Sequence, residues 1–555
     1  MLKQPLRFVL LCDGLELNEW QERCLNEAIE SNLAELVAIV QRAPVRKLSL
    51  REKWSKRLAE RRHFLWRLFN RLYVDLVSSA NRAKTHVPAL RDVPVFVDEP
   101  VRAGRYSENL SSEAIAFVRS TNPDFILRFG FGILAGEILS CAKLGVWSYH
   151  HGDPSEFRGQ PPGFWEIMFS RSTAGVVLQV LGDELDAGRI LHQGHFQVTP
   201  HSYAKTRDTL YFGASSWVRR ACADILGNGQ DASVRKRSDL NGSIYKQPTN
   251  LDMIRFISLT IRNFIKMQFQ YKLHRQNWNC GIIPERIEVV AGLYGKERQR
   301  DALRNAHWMP LARGTFQADP FGYELEGGRG VRVLFELFRW PKDRGEIAAR
   351  NYRGGKFGQV EAVLDAPTHL SYPSVIKVGG SLHLVPEHSA AGNISAFRLN
   401  KAGVPDKKTT IFARCELLDS TIIEFGGKFW MFALDEGSSK NTDLHIYFAE
   451  EIFGSWRAHP LNPVKSDVRS SRPAGTPFIF EGRLFRPAQN CANHYGSAVT
   501  LNEVLVLTES AFREEAVARV EPSSESEYPY ALHTLSSVGD FTLIDGARNE
   551  LLFRI

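Results

Sequence analysis

A histidine, a serine two residues before it and an aspartate thirty-six residues after it are the groups in this chain best placed to do chemistry together. His150 follows the largely apolar run from Ala142 to Tyr149, which also holds Ser148. Arg158-Gly159 comes eight residues later, and Leu185-Asp186-Ala187-Gly188 carries an Asp-x-Gly turn. Between them Gly175-Val-Val-Leu-Gln-Val180 is apolar and β-branched with turn residues on both sides, which predicts a buried strand. Two strand ends of an α/β sheet would then present His150 and Asp186 to one crevice. A carboxylate orients an imidazole or raises its basicity, so the pair suits proton transfer. The plainer alternative makes His150 and the adjacent His151 strand-end polar residues only.

The elements that must hold these residues read as α/β. Leu6–Cys12 and Leu33–Val40 are expected strands with a helix, Glu19–Ser31, between them. A helix over Glu113–Arg119 is broken by Asn122-Pro123-Asp124 before the strand Phe125–Phe129. This rhythm predicts a parallel sheet with ligand crevices at the strand C-termini. Gly163–Ser170 is an expected helix whose Trp165 and Ile167 pack. The polar turn segment Gly227–Ser233 closes the domain, and Leu251–Leu273 has the apolar spacing of a connecting helix.

These motifs resemble the N-terminal domain of the folate-dependent formyltransferases, a family that includes methionyl-tRNA and amino-sugar N-formyltransferases. The resemblance covers roughly 5–225. Its pattern is Asn-x-His, a loop ending in Arg-Gly, then Asp-x-Gly; His150 falls on the family histidine and Asp186 on the family aspartate. Phe131, Gly132, Ile133 and Leu134 look like the segment lining the folate pterin pocket, and Asp183-Glu184 like the start of the loop that closes over it. The resemblance implies 10-formyltetrahydrofolate as cosubstrate, His150 and Asp186 as the catalytic pair, and an oxyanion donor at Ser148, where the family has asparagine. A serine hydroxyl is a shorter donor whose hydrogen can rotate away, and losing an oxyanion donor costs about 3–4 kcal/mol. Ser148 or His151 takes the role, or the site is slow or dead.

The chain has 555 residues, so two to four domains are expected. Its seven cysteines are scattered, with no Cys-x-x-Cys or Cys/His cluster, so neither a zinc site nor a disulfide framework is expected, and a reducing, cytoplasmic setting fits. The start lacks the apolar core and cleavage site of a signal peptide, and no apolar run of about 18 residues suggests a membrane span. Much of the net charge of +8 lies in 42–84, where Arg46, Lys47, Arg51, Lys53, Lys56, Arg57, Arg61, Arg62, Arg67 and Arg71 accompany few acids. Leu50, Trp54, Leu58, Leu65, Leu68, Phe69 and Leu72 form a complementary stripe, so a basic amphipathic helix or helix pair is expected. It is either a solvated face on a packed helix, a site for an anionic substrate such as a nucleotide-sugar, or, over 46–72, a peripheral contact with an acidic membrane surface. No nucleic-acid recognition motif accompanies it, so nucleic acid is not an expected partner.

From about 280 the pattern changes to short strands and glycine turns. Asp319-Pro-Phe, Tyr372-Pro-Ser, Asp419-Ser-Thr and Arg472-Pro-Ala each precede a Gly-Gly or Glu-Gly turn and a further strand. A period near fifty residues marks a β-propeller. Four clear units and a weaker one near Tyr495–Leu507 predict five blades, with Phe541–Ile544 as a closing strand. Asp319, Tyr372, Asp419 and Arg472 then occupy equivalent positions and, with Glu336 and Glu387, converge on one mouth as a substrate-binding group. Two carboxylates about 5–9 Å apart there would permit glycoside hydrolysis; binding without chemistry, or a purely structural role, are the alternatives. This half resembles the N-terminal domain of the plant glucosamine inositolphosphorylceramide transferases, similar in fold to five-bladed glycoside hydrolases, which implies a small-molecule or glycan substrate.

The expected layout is α/β plus all-β: a Rossmann-like formyltransferase domain over 1–227, a linker and connecting helix over 228–279, and a five-bladed β-propeller over 280–555. The expected activity is formyl transfer to an amine, chiefly of an amino sugar in glycan or glycolipid synthesis. A carbohydrate-binding scaffold with a degenerate formyltransferase domain, and a glycosidase-like propeller, are the alternatives.

Overall fold

Leu6–Cys12 (β1) has a single charge in seven residues, and Phe8 to Cys12 are buried, as a strand covered on both faces requires. Its alternate side chains enter two cores. Phe8, Leu10 and Cys12 join Phe125, Leu127 and Trp147 on one face, and Val9 and Leu11 join Val40, Ile126 and Val146 on the other. The computed structural model describes residues 4–44, 49, 51–52, 55, 60–80, 82–84, 87–104, 107–182, 188–229, 242–328, 330–413, 415–437 and 441–551. Asp183, Glu184 and Asp186 lie outside these residues, as do Arg46, Lys47, Leu50, Lys53, Trp54, Lys56, Arg57 and Leu58 of the basic segment and the Gln230–Ser233 part of the domain-closing turn.

The first of two compact units, Met1–Met267, is built on a seven-stranded sheet. With Ala34–Arg42 as β2, Val95–Asp98 as β3, Phe125–Arg128 as β4, Val146–His150 as β5, Thr173–Val180 as β6 and Arg189–Gln197 as β7, the order is β7-β6-β5-β4-β1-β2-β3. The pairings from β5 through β4, β1 and β2 to β3 are parallel, but β5–β6 and β6–β7 are antiparallel. The all-parallel expectation is thereby corrected. The end of β6 at Val180 lies beside Trp147, and Val177 lies beside His150. The strand end leading to the Asp-x-Gly turn therefore points away from the end of β5 that carries His150. Helices form over Glu19–Glu30, Ser112–Ser120, Phe164–Met168, Tyr203–Gly213, Trp217–Asn228 and Asn250–Leu273. In the basic segment, helical turns run from Arg61 to Val77, with a π-helical turn at Asn70–Val74. Trp66 and Val74 are buried there and Leu65 and Phe69 of the expected stripe pack beside them, whereas its Leu68 and Leu72 face solvent.

The second unit, Gln268–Ile555, is dominated by antiparallel strands, with short helices such as Lys296–Arg304. Among the described residues it has five antiparallel sheets of four or five strands. Four begin at Thr315–Glu324, Ser371–Val378, Leu417–Phe425 and Phe478–Phe480. The fifth joins His274–Ile283 to Phe541–Leu551, Leu535–Val538 and His307–Trp308. Tyr495–Leu507 is not a unit of its own, because Ala498–Leu507 pairs with Arg483–Asn490 inside the fourth sheet. Three sheets share one irregularity. The register of the first strand slips at Ala318/Phe321, Ser371/Ser374 and Leu418/Thr421, and each slip holds a left-handed residue: Asp319 (φ 53), Tyr372 (φ 44) and Asp419 (φ 49). A non-glycine residue there stores about 1–3 kcal/mol of strain.

The Arg-Gly turn is set by backbone contact. Phe157–Gly159 pairs in parallel with Ser243–Tyr245, and a Cβ on Gly159, at φ +92, would lie 2.1 Å from the Tyr245 carbonyl oxygen. Gly159→Ala is expected to destabilise the first unit by more than about 1 kcal/mol, read by denaturant unfolding. An unchanged midpoint would mean that the pairing contributes nothing.

Candidate functional site

The carboxyl ends of β4 and β5 bring a polar row together. Register pairs Arg128 with Ser148 and Ser148 with Gln179, so the three side chains share one face of the sheet, and His150, two residues beyond Ser148, lies on it too. Arg128 Nη1 donates to Ser148 Oγ at 2.8 Å, and its Nη2 donates to the carbonyls of Phe131 (3.0 Å) and Gly132 (2.7 Å). Because the serine oxygen accepts from a cation, its own proton must point elsewhere. It donates to the Tyr149 carbonyl at 3.4 Å, too long for a strong bond. The buried hydroxyl is thus a polarised donor held in reserve. Burial draws the Arg128 guanidinium below the usual arginine range, against the opposing pull of Asp13 and Glu108. Among the described residues, the buried atoms Arg128 Nε and Gln179 Oε1 have no hydrogen-bond partner, a donor and an acceptor left open in the same row.

The segment expected to line a pterin pocket wraps this row. Phe131 is left-handed (φ 64), and its N–H donates to Asp13 Oδ1 at 2.7 Å. The Gly132 N–H donates to Glu108, and Arg42 bonds both carboxylates while lying 4.9 Å from the Phe131 ring centre. Carboxylates therefore take the two N–H groups and Arg128 the two carbonyls of the same residues. Ile133 is exposed, whereas Phe131 and Leu134 are buried in the core shared with Val9 and Ile138. The sequence offered one sign of Arg128: a charge ending the otherwise apolar run Phe125-Ile-Leu.

His151 does not join the row. It stacks on Tyr211 (centroids 3.8 Å apart) and meets Trp20 edge-on at 5.3 Å. Burial, aided by the charges of His150 and Arg207, pushes it down to about 3, so it is neutral at pH 7 and packs like an aromatic ring. Gly152 leaves room for His150, since a Cβ there would meet its Nε2 at 2.9 Å. Two further acids escaped the sequence reading. Glu166, buried and pushed up to about 7 by that burial, lines a small cavity with His151, Gly152 and Arg158. Asp153 pairs with His195 at 3.0 Å; burial opposes its charge, but bonds from His195 and Ser155 hold it below the usual carboxylate range.

In the second unit the six expected residues do gather. The Tyr372 N–H donates to Asp319 at 3.3 Å, and the Asp419 N–H to Glu387 at 2.8 Å. Asp419 accepts from Arg472 and, at 3.1 Å, from Gln489; the Gly475 N–H donates to the Tyr372 hydroxyl at 2.6 Å. Burial raises Glu336 and Glu387 well above the carboxylate range and Asp319 to about 6. His533, missed from sequence, lies between Asp545 (2.5 Å) and Asp319 (3.6 Å); burial opposes its charge, and the two carboxylates outweigh it. Asp319, His533 and Asp545 could each turn one ligand atom to a metal ion, within 4.8 Å of one another, but those groups already serve one another as ion pairs. Asp419 is paired with Arg472, which holds its carboxylate in the charged form.

Two measurements follow. The folded His151 lies below its unfolded value, so the unfolded chain binds the extra proton between pH 6.5 and 3, and stability falls as pH drops through that window by up to about 1.4 kcal/mol per pH unit. His151→Phe should therefore gain on the wild type between pH 6.5 and 4.5 in denaturant unfolding; parallel curves would contradict a buried neutral imidazole. Arg472→Ala, which strands the Asp419 carboxylate, should cost about 3–5 kcal/mol, and the pair Arg472→Met/Asp419→Asn clearly less. Equal losses would show that charge pairing is not what matters there.

Residues 15–211 match the family described as Formyl transferase, and residues 311–530 that described as Glucosamine inositolphosphorylceramide transferase 1, N-terminal. The chain is 28% identical over 250 residues to glucosamine inositolphosphorylceramide transferase 1 of Arabidopsis thaliana, covering 42% of this chain and 32% of that protein. It is 34% identical over 89 residues to methionyl-tRNA formyltransferase of Thermotoga maritima, covering 16% of this chain and 28% of that protein. The chain thus spans less than a third of the length of either relative. An exo-β-1,3-galactanase structure from Clostridium thermocellum superposes with a TM-score of 0.32 at 10% identity, over 42% of this chain and 59% of that one, too loosely to carry an argument. The chain thus carries a formyl transferase domain at its N-terminus and, following it, a domain of the glucosamine inositolphosphorylceramide transferase 1 N-terminal type.

Proposed function

We propose that the chain transfers a formyl group from 10-formyltetrahydrofolate to the amine of an amino sugar, carried on a nucleotide or a lipid, in glycan or glycolipid synthesis. The observation that carries this reading is the Arg128–Ser148 contact on the face that also bears His150, inside a formyl transferase domain. The open donor and acceptor, Arg128 Nε and Gln179 Oε1, suit a polar cosubstrate, which Phe131 to Leu134, with Asp183 and Glu184, would hold. That cosubstrate supplies an activated formyl carbon: the bond to the acceptor amine forms as the bond to the folate nitrogen breaks. Ser148 donates to the formyl oxygen as negative charge grows there, and Arg128 keeps the hydroxyl aimed. His150 receives the proton the amine loses and returns it to the departing nitrogen. Asp186 is assigned to orient His150 from the segment that joins β6 to β7, since the strand ends themselves do not bring the two together.

In this reading the formyltransferase domain spans 1–227 and a connector 228–279. Residues 280–555, closed by pairing with His274–Ile283, form a five-bladed propeller that binds a glycan. The strained residues Asp319, Tyr372 and Asp419 favour a recognition role for its centre, since strain that is kept serves a site more often than a scaffold.

Incubation with 10-formyltetrahydrofolate and a panel of amino sugars, read by mass spectrometry, should yield an N-formyl sugar. Absence of both folate binding and transfer would sink the reading and leave the carbohydrate-binding scaffold. His150→Ala and Asp186→Ala should each remove most transfer, with the double variant little worse, since groups acting as a unit are non-additive. Arg128→Met should lower kcat about 100-fold, as loss of an oxyanion donor does, with KM for the sugar unchanged. Ser148→Asn should lower activity, because the longer side chain meets the guanidinium. A large gain would instead mark Ser148 as decay of an amide donor.

A further inference from the structure

Among its described residues, the first unit turns an apolar surface to solvent. Phe64, Leu68, Leu72 and Leu76 recur at every fourth position of the Arg61–Val77 helical segment, and all are exposed, Leu72 at 61% and Leu76 at 75%. The Asn250–Leu273 helix packs against the unit through Met253 and Phe256, yet turns a second apolar stripe outward: Ile254, Ile257, Ile261 (54%) and Ile265. The two segments adjoin. Asn250 accepts from the Leu65 N–H and donates to the Arg61 carbonyl, His63 Nδ1 lies 2.9 Å from the Pro248 carbonyl oxygen, and Phe69 meets Phe256 at 5.9 Å. Between them lies a groove of about 260 Å³ lined by Phe69, Tyr73, Ile257, Ile261 and Phe264. A helix that only packs on its own domain has one apolar stripe. An exposed patch of this extent marks an interaction surface.

The charges around the patch say which. Arg61, Arg71, Arg255, Arg262 and Lys266 are exposed along its borders. Of the two acids on these segments, Asp252 is bonded to Thr249 at the helix start, which leaves Asp75. A second copy docked on the same patch would set these cations against their own kind. A bilayer with anionic headgroups would pair them while its acyl region takes the isoleucines and leucines, the arrangement of an interfacial helix lying in the membrane plane. We infer that Arg61–Val77 and the Asn250–Met267 stretch together form a docking surface for an anionic lipid bilayer. The surface differs from the expected 46–72 segment in that much of its apolar contact comes from the helix after residue 250. It does not depend on the formyl transfer reading.

The test is co-sedimentation of the full chain with phosphatidylcholine vesicles, with and without phosphatidylserine, alongside its mass in solution. Binding that requires phosphatidylserine and weakens with added salt is expected. Arg262→Ala/Lys266→Ala should bind about thirtyfold more weakly, as removal of two surface cations implies. Ile254→Asp/Ile261→Asp should abolish sedimentation with the melting temperature retained, since both side chains are already in solvent. Formyl transfer to a soluble amine should be unchanged in both variants, which separates failure of this surface from failure of the transferase reading. The inference falls if the monomeric protein ignores phosphatidylserine or if both variants sediment like the wild type. It also falls if the protein is a dimer that Ile254→Asp/Ile261→Asp splits, because a second copy then covers the patch.

Discussion

The N-terminal site depends on one half-buried cation, Arg128. Arg128 emerges from a strand whose other residues are apolar, and its guanidinium meets a hydroxyl and two carbonyls instead of a carboxylate. A charge in that position is tolerated because Asp13 and Glu108 stand near enough to offset part of the desolvation while they bind the N–H groups of the same loop residues. The left-handed turn at Phe131 is thereby fixed by side chains reaching from β1, β2, β4 and the Glu108 segment. Shift any of these strands and the loop, the serine and the arginine lose register together. In the proposed function that coupling is what lets a serine act as the donor: the neighbouring cation supplies the orientation that a hydroxyl lacks.

The second unit solves a related problem with a different device. Its centre holds many acids, and their charge is settled by neutralising some and pairing others. Glu336 and Glu387 are driven toward the protonated form by burial, whereas Asp419 is held by Arg472 and Asp545 by His533. The left-handed bulges place Asp319, Tyr372 and Asp419 where one residue's N–H meets another's carboxylate, so the strain of each sheet is stabilised by bonds that cross to the next.

Much of this was legible in the sequence because apolar runs bounded by turn residues specify strands. Leu6–Cys12 and the helix after residue 250 sit where periodicity puts them. Strand direction was not legible: Gly175–Val180 reads alike whether parallel or antiparallel, and only the register with β5 shows that it runs backwards. Ser148 and His150 stood out by spacing, but Arg128 did not, since a lone charge after an apolar run is the ordinary end of a strand. Leu68 and Leu72 misled, because helical spacing shows that residues share a face and not what that face meets. Four sheets announced themselves through glycine turns at regular intervals. The fifth did not, because its strands come from opposite ends of the unit.

That last sheet has a consequence for how the unit comes into being. Ten residues of His274–Ile283 pair with Phe541–Leu551, and Asn277 bonds Glu550 across 273 positions of chain. A ladder so non-local raises the contact order and slows folding, because loop closure must precede any gain from pairing. On the ribosome, where synthesis runs at about 5–20 residues per second, His274–Ile283 emerges well before its partner and waits with an open hydrogen-bonding edge. For those seconds the strand is open to joining another chain instead.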